Sequence, residues 1–345
     1  MKPIAIHNGI GWNVKWIEYC RSRNIPFKAV CCYDSDIIEQ IRDCSALMWH
    51  FYHTNPIDIL MARNVLNAAE MMGLKVYPDF YENWHFDDKL SQKYLLEALN
   101  LPAAPSWAFF DEKEALEFGE HCTLPIVAKL RHGAGSYNVR LLKTRSDIRR
   151  YIKRMFGRGF SPAPAPLADV KTKLKVAAAK GGLAGIVRRL KKAPNFFRVV
   201  HYAKKYFGNE KGYVYFQKYI PGNLCDYRIK VVGDIAWGLR RMVRDNDFRA
   251  SGGGMLDCDY KKIPADMIRM AFNAADKLRM QSIAFDIVLE NNEIPWIVEI
   301  SYAFGLDADQ CNGYWDRNIK RHNSVFDPTA FIIETFLKKL TSYAE

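Results

Sequence analysis

No run of about 18 apolar residues occurs in the 345-residue sequence, so no segment of it reads as a membrane-spanning helix. The opening residues, MKPIAIHNGIGW, lack the apolar core and cleavage site of a signal peptide. A cytoplasmic location is therefore expected, with peripheral attachment at the inner membrane face left open. No C-x-x-C pair exists among the eight cysteines, and Cys31 and Cys32 lie in an apolar run, so buried reduced thiols are expected over a disulfide framework. No G-K-[ST] follows the glycine-rich stretch at 132–136, which excludes a P-loop. No Ser-His-Asp or Cys-His arrangement has supporting context, so nothing points to a nucleophilic side chain. With 49% hydrophobic and 26% charged residues, the composition is that of an ordinary globular protein.

What is present in excess is positive charge, unevenly placed. Residues 150–211 hold 16 Lys and Arg against two acidic residues, a net +14; the whole chain is +12, so the remainder carries −2. This segment contains the Pro-rich run SPAPAP at 161–166, then stretches of helical spacing at 168–180 and 183–193. Basic amphipathic helices with interspersed aromatics fit an anionic membrane surface, an acidic polymer or a partner protein. Nucleic acid, reached through phosphate contacts, is the weaker fit. A solvated helical insertion is the alternative.

Along the chain, residues 1–85 alternate short strands (3–7, 26–32, 45–51, 75–78) with helices (12–24, 34–42, 56–72). That order implies a small parallel sheet with right-handed crossovers, whose ligands lie at the carboxyl ends of the strands. His7, Asn8 and the 50–53 stretch fall there, as loop and capping residues or as substrate contacts. A helix over 88–100 carries Lys89 in its first turn, which opposes the helix dipole unless the amine has an anionic partner. Farther on, Lys129 interrupts an apolar strand just before His132-Gly133-Ala134-Gly135-Ser136. Glycines let backbone N–H groups approach a phosphate, and a lysine supplies a point charge. A strand ending in Gln217-Lys218-Tyr219-Ile220 precedes one that carries Asp226 and Arg228 on the same face. Arg240, Arg241 and Arg249 follow, with Ser251-Gly252-Gly253-Gly254, an arrangement that reads as a phosphate clamp.

Residues 282–301, SIAFDIVLENNEIPWIVEIS, form two apolar strands around the turn Glu290-Asn291-Asn292-Glu293. Asp286 and Glu299 each interrupt one strand, and positions equally far from a hairpin turn lie side by side. Both can face one cleft. A buried carboxylate is costly unless paired or metal-bound, and hard oxygen donors suit Mg²⁺ with phosphate oxygens beside it. The competing reading is the solvated face of an amphipathic hairpin.

Taken together, the ordered elements resemble the ATP-grasp superfamily, in particular its carboxylate–amine ligases of the ribosomal-protein glutamate ligase type. The resemblance runs from the N-terminal α/β stretch through Lys89, the Lys129 strand and its glycine loop, QKYI (217–220), the D-x-R strand, DFRASGGG and D…E-x-S. It implies an α/β N-terminal domain at 1–85 followed by two α+β lobes of an ATP-grasp fold. The central lobe would span 86–212 and carry the basic insertion at 150–211; the C-terminal lobe, 213–345, would hold the Mg-ATP site. Lys89 and Lys129 match lysines that hold nucleotide phosphates, with Gly133, Gly135 and Ser136 in the adjoining loop. Gln217, Lys218, Tyr219 and Ile220 match the hinge whose backbone meets the adenine edge. Arg228, Arg241 and Arg249 match contacts to the γ-phosphate or acyl substrate, and Asp286 and Glu299 match magnesium ligands. The third ligand is an Asn in the family and Ser301 here; Ser251 likewise stands where DFR-x-Asn is common. Both departures remove an amide, although a Ser hydroxyl can ligate Mg²⁺.

The activity implied is ATP-dependent ligation through an acyl phosphate, with ATP and Mg²⁺ as cofactors. The substrates implied are a small-molecule or glycan-linked carboxylate and an amine, with modification of a cell-surface polysaccharide as the setting that suits the basic insertion. Two other readings stand beside it. One is a Mg-ATP-dependent phosphotransferase. The other, motivated by Ser251 and Ser301, is an ATP-binding protein without catalysis whose basic helices bind a membrane or partner. Neither the substrates' identities nor the oligomeric state is legible in the sequence.

Overall fold

The computed structural model describes residues 2–53, 55–133, 138–161, 208–243, 247–250, 255–306 and 313–341. The expected helices at 168–180 and 183–193 lie outside the described residues, as do Gly135, Ser136, Ser251 and the rest of the 251–254 glycine run. The chain divides into two compact units: Met1–Tyr52, Ile57–Ala104 and Ile220–Glu345 make the first, His53–Pro56 and Pro105–Tyr219 the second.

The first unit begins with four parallel strands, β1 (Ile4–His7), β2 (Phe27–Val30), β3 (Ala46–Met48) and β4 (Lys75–Tyr77), in the order β2-β1-β3-β4. Between them run α1 (Trp12–Ser22), α2 (Ile37–Gln40) and α3 (Pro56–Met71). The strand–helix alternation thus yields the expected parallel sheet. Trp12, Trp16 and Cys20 recur at helical spacing and are buried. α2 is one turn instead of residues 34–42, because only Ile37 on it is buried and Gln40 turns back to bond Asp34 and Asp36. The short α4 (Phe80–Asn83) follows, and then α5 (Lys89–Ala98).

The second unit holds β5 (Ser106–Phe109), α6 (Glu112–His121), β6 (Ile126–Lys129), β7 (Val139–Leu142), α7 (Arg145–Phe156) and β8 (Val214–Lys218). Its sheet is antiparallel, in the order β5-β8-β6-β7. Asp111 caps α6 through the Glu114 amide at 3.0 Å, and Thr144 with Asp147 forms a capping box on α7. The two helices approach closely at Gly119, where an added Cβ would meet Ile148 Cγ2 at 2.7 Å.

The chain then returns to the first unit with β9 (Cys225–Val232), β10 (Ile235–Met242), β11 (Leu256–Asp257), α8 (Ala265–Leu278), β12 (Ser282–Glu290), β13 (Ile294–Ser301), β14 (Tyr314–Asp316), β15 (Arg321–His322) and α9 (Pro328–Thr341). The strands stand in the order β13-β12-β9-β10-β14-β15, with β11 beside β10. Strand alternation splits this sheet. Ile229, Val231, Ile283, Phe285 and Ile287 join one core with Met267, Ile268, Ala271 and Phe272 of α8. The intervening positions of β9 and β12 therefore turn to the opposite face.

Among the described residues no helix is long and apolar enough to cross a membrane. Cys20, Cys31, Cys32, Cys44, Cys122 and Cys225 are free thiols, but Cys258 is disulfide-bonded, against the expectation of reduced cysteines throughout. Pairing depends on approach in space, which spacing along the chain does not reveal.

Candidate functional site

The face of the large sheet turned away from α8 carries a row of charges set by register. Glu299 on β13 pairs with Asp286 on β12, which pairs in turn with Arg228 on β9. One step along the strands, Asp226 on β9 pairs with Arg241 on β10. The hairpin turn places Asn291 and Asn292 in the left-handed region, at φ 55° and 62°, which asparagine tolerates. A β-bulge then shifts the register between Asp286 and Ile287: Ile287 faces Ile297, while Asp286 faces Glu299, so Val298 is the extra residue. Without that extra residue's displacement the carboxylates would not be opposite each other.

Arg228 grips Asp286 with two parallel bonds, Nε to Oδ1 at 2.7 Å and Nη2 to Oδ2 at 2.8 Å. Arg241 reaches the same Oδ2 at 2.7 Å and grips Asp226 from Nε at 2.7 Å and also from Nη2. Burial works to raise the Asp286 pKa, but Arg228 and Arg241 outweigh it and hold the carboxyl well below the usual range. The carboxylate is thus ionised and fixed. Arg228 uses Nε and Nη2 in this clasp, which leaves Nη1 for another oxyanion.

Lys89 completes the cluster. Asp88 caps α5 by accepting from the Leu90 and Ser91 amides, both at 3.1 Å. Gln92, one turn on, bonds the Ile300 carbonyl at 2.9 Å and accepts from the Ile300 amide at 3.3 Å, which docks α5 on β13. Lys89 Nζ then lies 3.2 Å from Glu299 Oε1 and 4.0 Å from Asp87 Oδ1. The lysine that opposed the helix dipole does have anionic partners. Ser301, two residues beyond Glu299 and on the same face, donates its hydroxyl to the Ala303 carbonyl at 2.7 Å.

Among the described residues, the ion pairs of this cluster join three cations (Lys89, Arg228, Arg241) to four carboxylates (Asp87, Asp226, Asp286, Glu299), a net −1. A bare polyphosphate would be repelled, whereas one accompanied by a divalent cation would not. The donor set fits that cation: two carboxylates and a hydroxyl on one face are hard oxygen ligands of the kind Mg²⁺ takes. Among the described residues no three His, Cys, Asp or Glu side chains converge on one point, so Ser301 or a substrate oxygen would have to extend the pair.

The other candidate residues lie elsewhere. Arg249 is clasped locally by Asp247, Nε to Oδ1 at 2.9 Å and Nη2 to Oδ2 at 2.8 Å, between two segments outside the described residues. Lys129, Gly133, Gln217, Lys218 and Tyr219 belong to the second unit, and the division between units falls between Tyr219 and Ile220. Lys129 is buried at the end of β6, and Gln217 is buried on β8 opposite Val127. His7 and His50 are structural: His7 Nδ1 accepts from the Cys32 amide at 3.1 Å, burial lowers its pKa to about 4, and His50 stacks on Trp12 at 3.9 Å.

Asp226, noted in the sequence only as sharing a face with Arg228, and Glu210, which the sequence did not single out, each hold candidate residues of their own unit in place. Asp226 orients Arg241. Counting back from the Gly233-Asp234 turn of the β9–β10 hairpin finds that pair, because Val232 faces Ile235 and the register follows. In the second unit, Glu210 accepts from the amides of Arg131 (3.0 Å) and His132 (3.1 Å) and sits 2.9 Å from His132 Nδ1. It anchors the start of the glycine-rich loop. Its signal in the sequence was isolation, as one of two acids in a segment with 16 bases.

No protein-family model matches the sequence, and no curated protein matches it. Solved structures do. A RimK-domain ATP-grasp protein from Sphaerobacter thermophilus is similar with a TM-score of 0.56 at 13% identity, over 98% of this chain and 100% of that one. The ATP-grasp ligase PsnB, complexed with minimal precursor, gives 0.55 at 14% identity, over 98% of this chain and 99% of its own. D-alanine–D-alanine ligase from Bacillus anthracis gives 0.53 at 13% identity, over 99% and 98%. At such identities the likeness is one of fold, and it runs the length of the chain: this protein is built on the ATP-grasp fold.

Proposed function

We propose that the protein is an ATP-dependent carboxylate–amine ligase, in which a carboxylate is phosphorylated by ATP and the acyl phosphate is captured by an amine. The observation that carries this reading is the charge row Glu299–Asp286–Arg228 with Arg241 and Lys89, on one face of an ATP-grasp sheet. The named neighbours support it: PsnB and D-alanine–D-alanine ligase are ligases, and a structure of the latter was determined with ATP.

In this reading Asp286, Glu299 and Ser301 hold Mg²⁺. The ion, when bound, neutralises phosphate oxygens and so lowers the barrier to phosphoryl transfer. Arg228 and Arg241, fixed by Asp286 and Asp226, present preorganised N–H donors to the developing oxyanion. Lys89 and Lys129 hold phosphates, assisted by Gly133, Gly135 and Ser136; Arg249 meets the acyl substrate. The backbone of Gln217, Lys218, Tyr219 and Ile220 receives adenine. The amine loses its proton to solvent or to the departing phosphate, so no nucleophilic side chain is needed. The substrates extend to a glycan-linked carboxylate, and the basic segment at 150–211 would keep an anionic partner at hand.

One observation favours a second reading, nucleotide binding without turnover. Both Asp286 oxygens are already bonded to guanidinium groups, and the Ser301 hydroxyl is given to Ala303. Magnesium-dependent ADP release from ATP, measured with a pool of carboxylates and amines, separates the two. The ligase reading expects release in the wild type and its loss, by at least about a hundredfold, in Asp286→Asn/Glu299→Gln. Nucleotide bound without release would establish the second reading, and equal release by the double variant would remove the metal assignment.

A further inference from the structure

The second unit carries a cluster of arginines that no carboxylate answers among the described residues. Arg140 on β7 and Arg154 on α7 both lie against the ring of Phe160, their Cζ atoms 4.5 Å and 4.2 Å from its centroid. Arg158 stands in the turn between α7 and Phe160. All three arginines are exposed, and none forms an ion pair among the described residues. Their neighbours on the same helix are compensated: Arg149 pairs with Glu120 at 2.6 Å and Arg150 with Asp147 at 2.5 Å. Glu210, whose backbone adjoins Phe160, is committed to the Arg131–His132 loop. Partial desolvation, and then the nearby charges of Arg158 and Arg140, depress the Arg154 pKa.

The platform under this cluster is rigidly built. Phe160 exchanges backbone bonds with Glu210, donating at 3.0 Å and accepting at 2.9 Å. Gly159 sits at φ +69°, and a Cβ there would meet the Glu210 carbonyl at 2.2 Å, so only glycine fits the turn. Arg154 Nε donates to the Gly159 carbonyl at 3.1 Å, which fixes the guanidinium plane. A planar guanidinium stacked on an aromatic ring keeps its remaining N–H groups for bidentate recognition of oxyanions. Among the described residues no large apolar side chain beside the cluster is exposed, unlike the insertion face of a membrane-binding surface.

We propose that Arg140, Arg154 and Arg158, gathered around Phe160, dock an acidic peptide segment, and that this segment belongs to the macromolecule on which the enzyme acts. The second clause rests on the ligase reading; the first does not. Three separated guanidiniums call for several carboxylates on one chain, which a run of Asp and Glu supplies. Because Phe160 is bonded to Glu210, and Glu210 to the glycine-rich loop, the docked chain would lie on the same unit as that loop.

The test uses the full chain without nucleotide, so that it reads docking and not ligation. Fluorescence anisotropy of labelled poly-glutamate is followed across a salt series, with polyphosphate and phosphatidylglycerol vesicles at matched charge as comparators. The wild type is expected to bind poly-glutamate with a steep salt dependence. In Arg140→Glu/Arg154→Glu, affinity should drop on the order of tenfold or more and the log–log salt slope should shrink by about two. Arg140→Gln/Arg154→Gln, which preserves polarity, should move the same way. Arg42→Glu/Arg269→Glu, with the same change in net charge on exposed residues elsewhere, should bind as the wild type does. Equal losses in that control would reduce the effect to net charge and overturn the proposal. So would unchanged binding in both Arg140/Arg154 variants, or preference for polyphosphate or vesicles over the peptide. If Mg²⁺-ATP and amines are then added and the docked peptide gives no ligation product, the first clause stands and the second falls.

Discussion

Asp286 and Glu299 were visible in the sequence as carboxylates in apolar strands, but their distances from the turn differ by one residue. The bulge at Val298 removes that mismatch. A single unpaired residue is invisible to a periodicity argument, since either register would satisfy most of the strand. Asp226 shows the complementary case: it was seen on the face of Arg228, yet its partner is Arg241, fixed by a register that the Gly233-Asp234 turn determines. Removing one member of a buried charge pair is strongly destabilising, so Asp226→Asn should lower the free energy of unfolding by about 3 kcal/mol in chemical denaturation. In the second unit, Lys129→Ala should weaken nucleotide binding roughly tenfold to a hundredfold by calorimetry, as loss of a charge-assisted phosphate contact would.

At the scale of elements, the start of β12 is latched to α4. Glu82 is fully buried and accepts from the Ser282 amide at 2.7 Å and from Gln281 Nε2 at 3.1 Å. Burial raises its pKa well above the usual value, with Asp79 adding to the effect. Asp79, which caps α4, is itself pushed by burial and by Glu70 from 3.8 to about 6. Such acids bind their protons more tightly in the fold than in the unfolded chain. The Asp79 contribution is therefore complete below pH 3.8 and is lost as pH rises through about 6. Stability should fall by on the order of 2–3 kcal/mol between pH 4 and 7 from this group, and Asp79→Asn should flatten that slope in urea melts. Helix boundaries were less legible than helix existence. α2 shrank to one turn because Gln40 prefers Asp34 and Asp36 to continuing the helix. At the end of α7, Gly159→Ala meets both a positive φ and the Glu210 carbonyl. It should cost about 2 kcal/mol or more, read as a lowered thermal midpoint.

For the whole molecule, strand–helix alternation was enough to expect the parallel sheet, and the ordered motifs were enough to expect the ATP-grasp fold that the solved structures share. The disulfide at Cys258 was not expected, because cysteine spacing along the chain does not reveal which thiols meet. Charge distribution was legible as an uneven +14 over 150–211, but its described part shows why a count falls short. Arg150 is paired with Asp147, while Arg140, outside that window, joins Arg154 at Phe160. What a basic segment binds depends on which charges the fold leaves uncompensated. In the ligase reading the substrates would be set by side chains around the charge row, which no motif specifies.

The ligase account is tested most directly by mass spectrometry of the products formed from Mg²⁺-ATP with pooled carboxylates and amines. It predicts a product whose mass is that of one carboxylate plus one amine less one water, formed in step with ADP. ADP accompanied by a phosphorylated substrate and no condensed product would contradict it and establish a phosphotransferase.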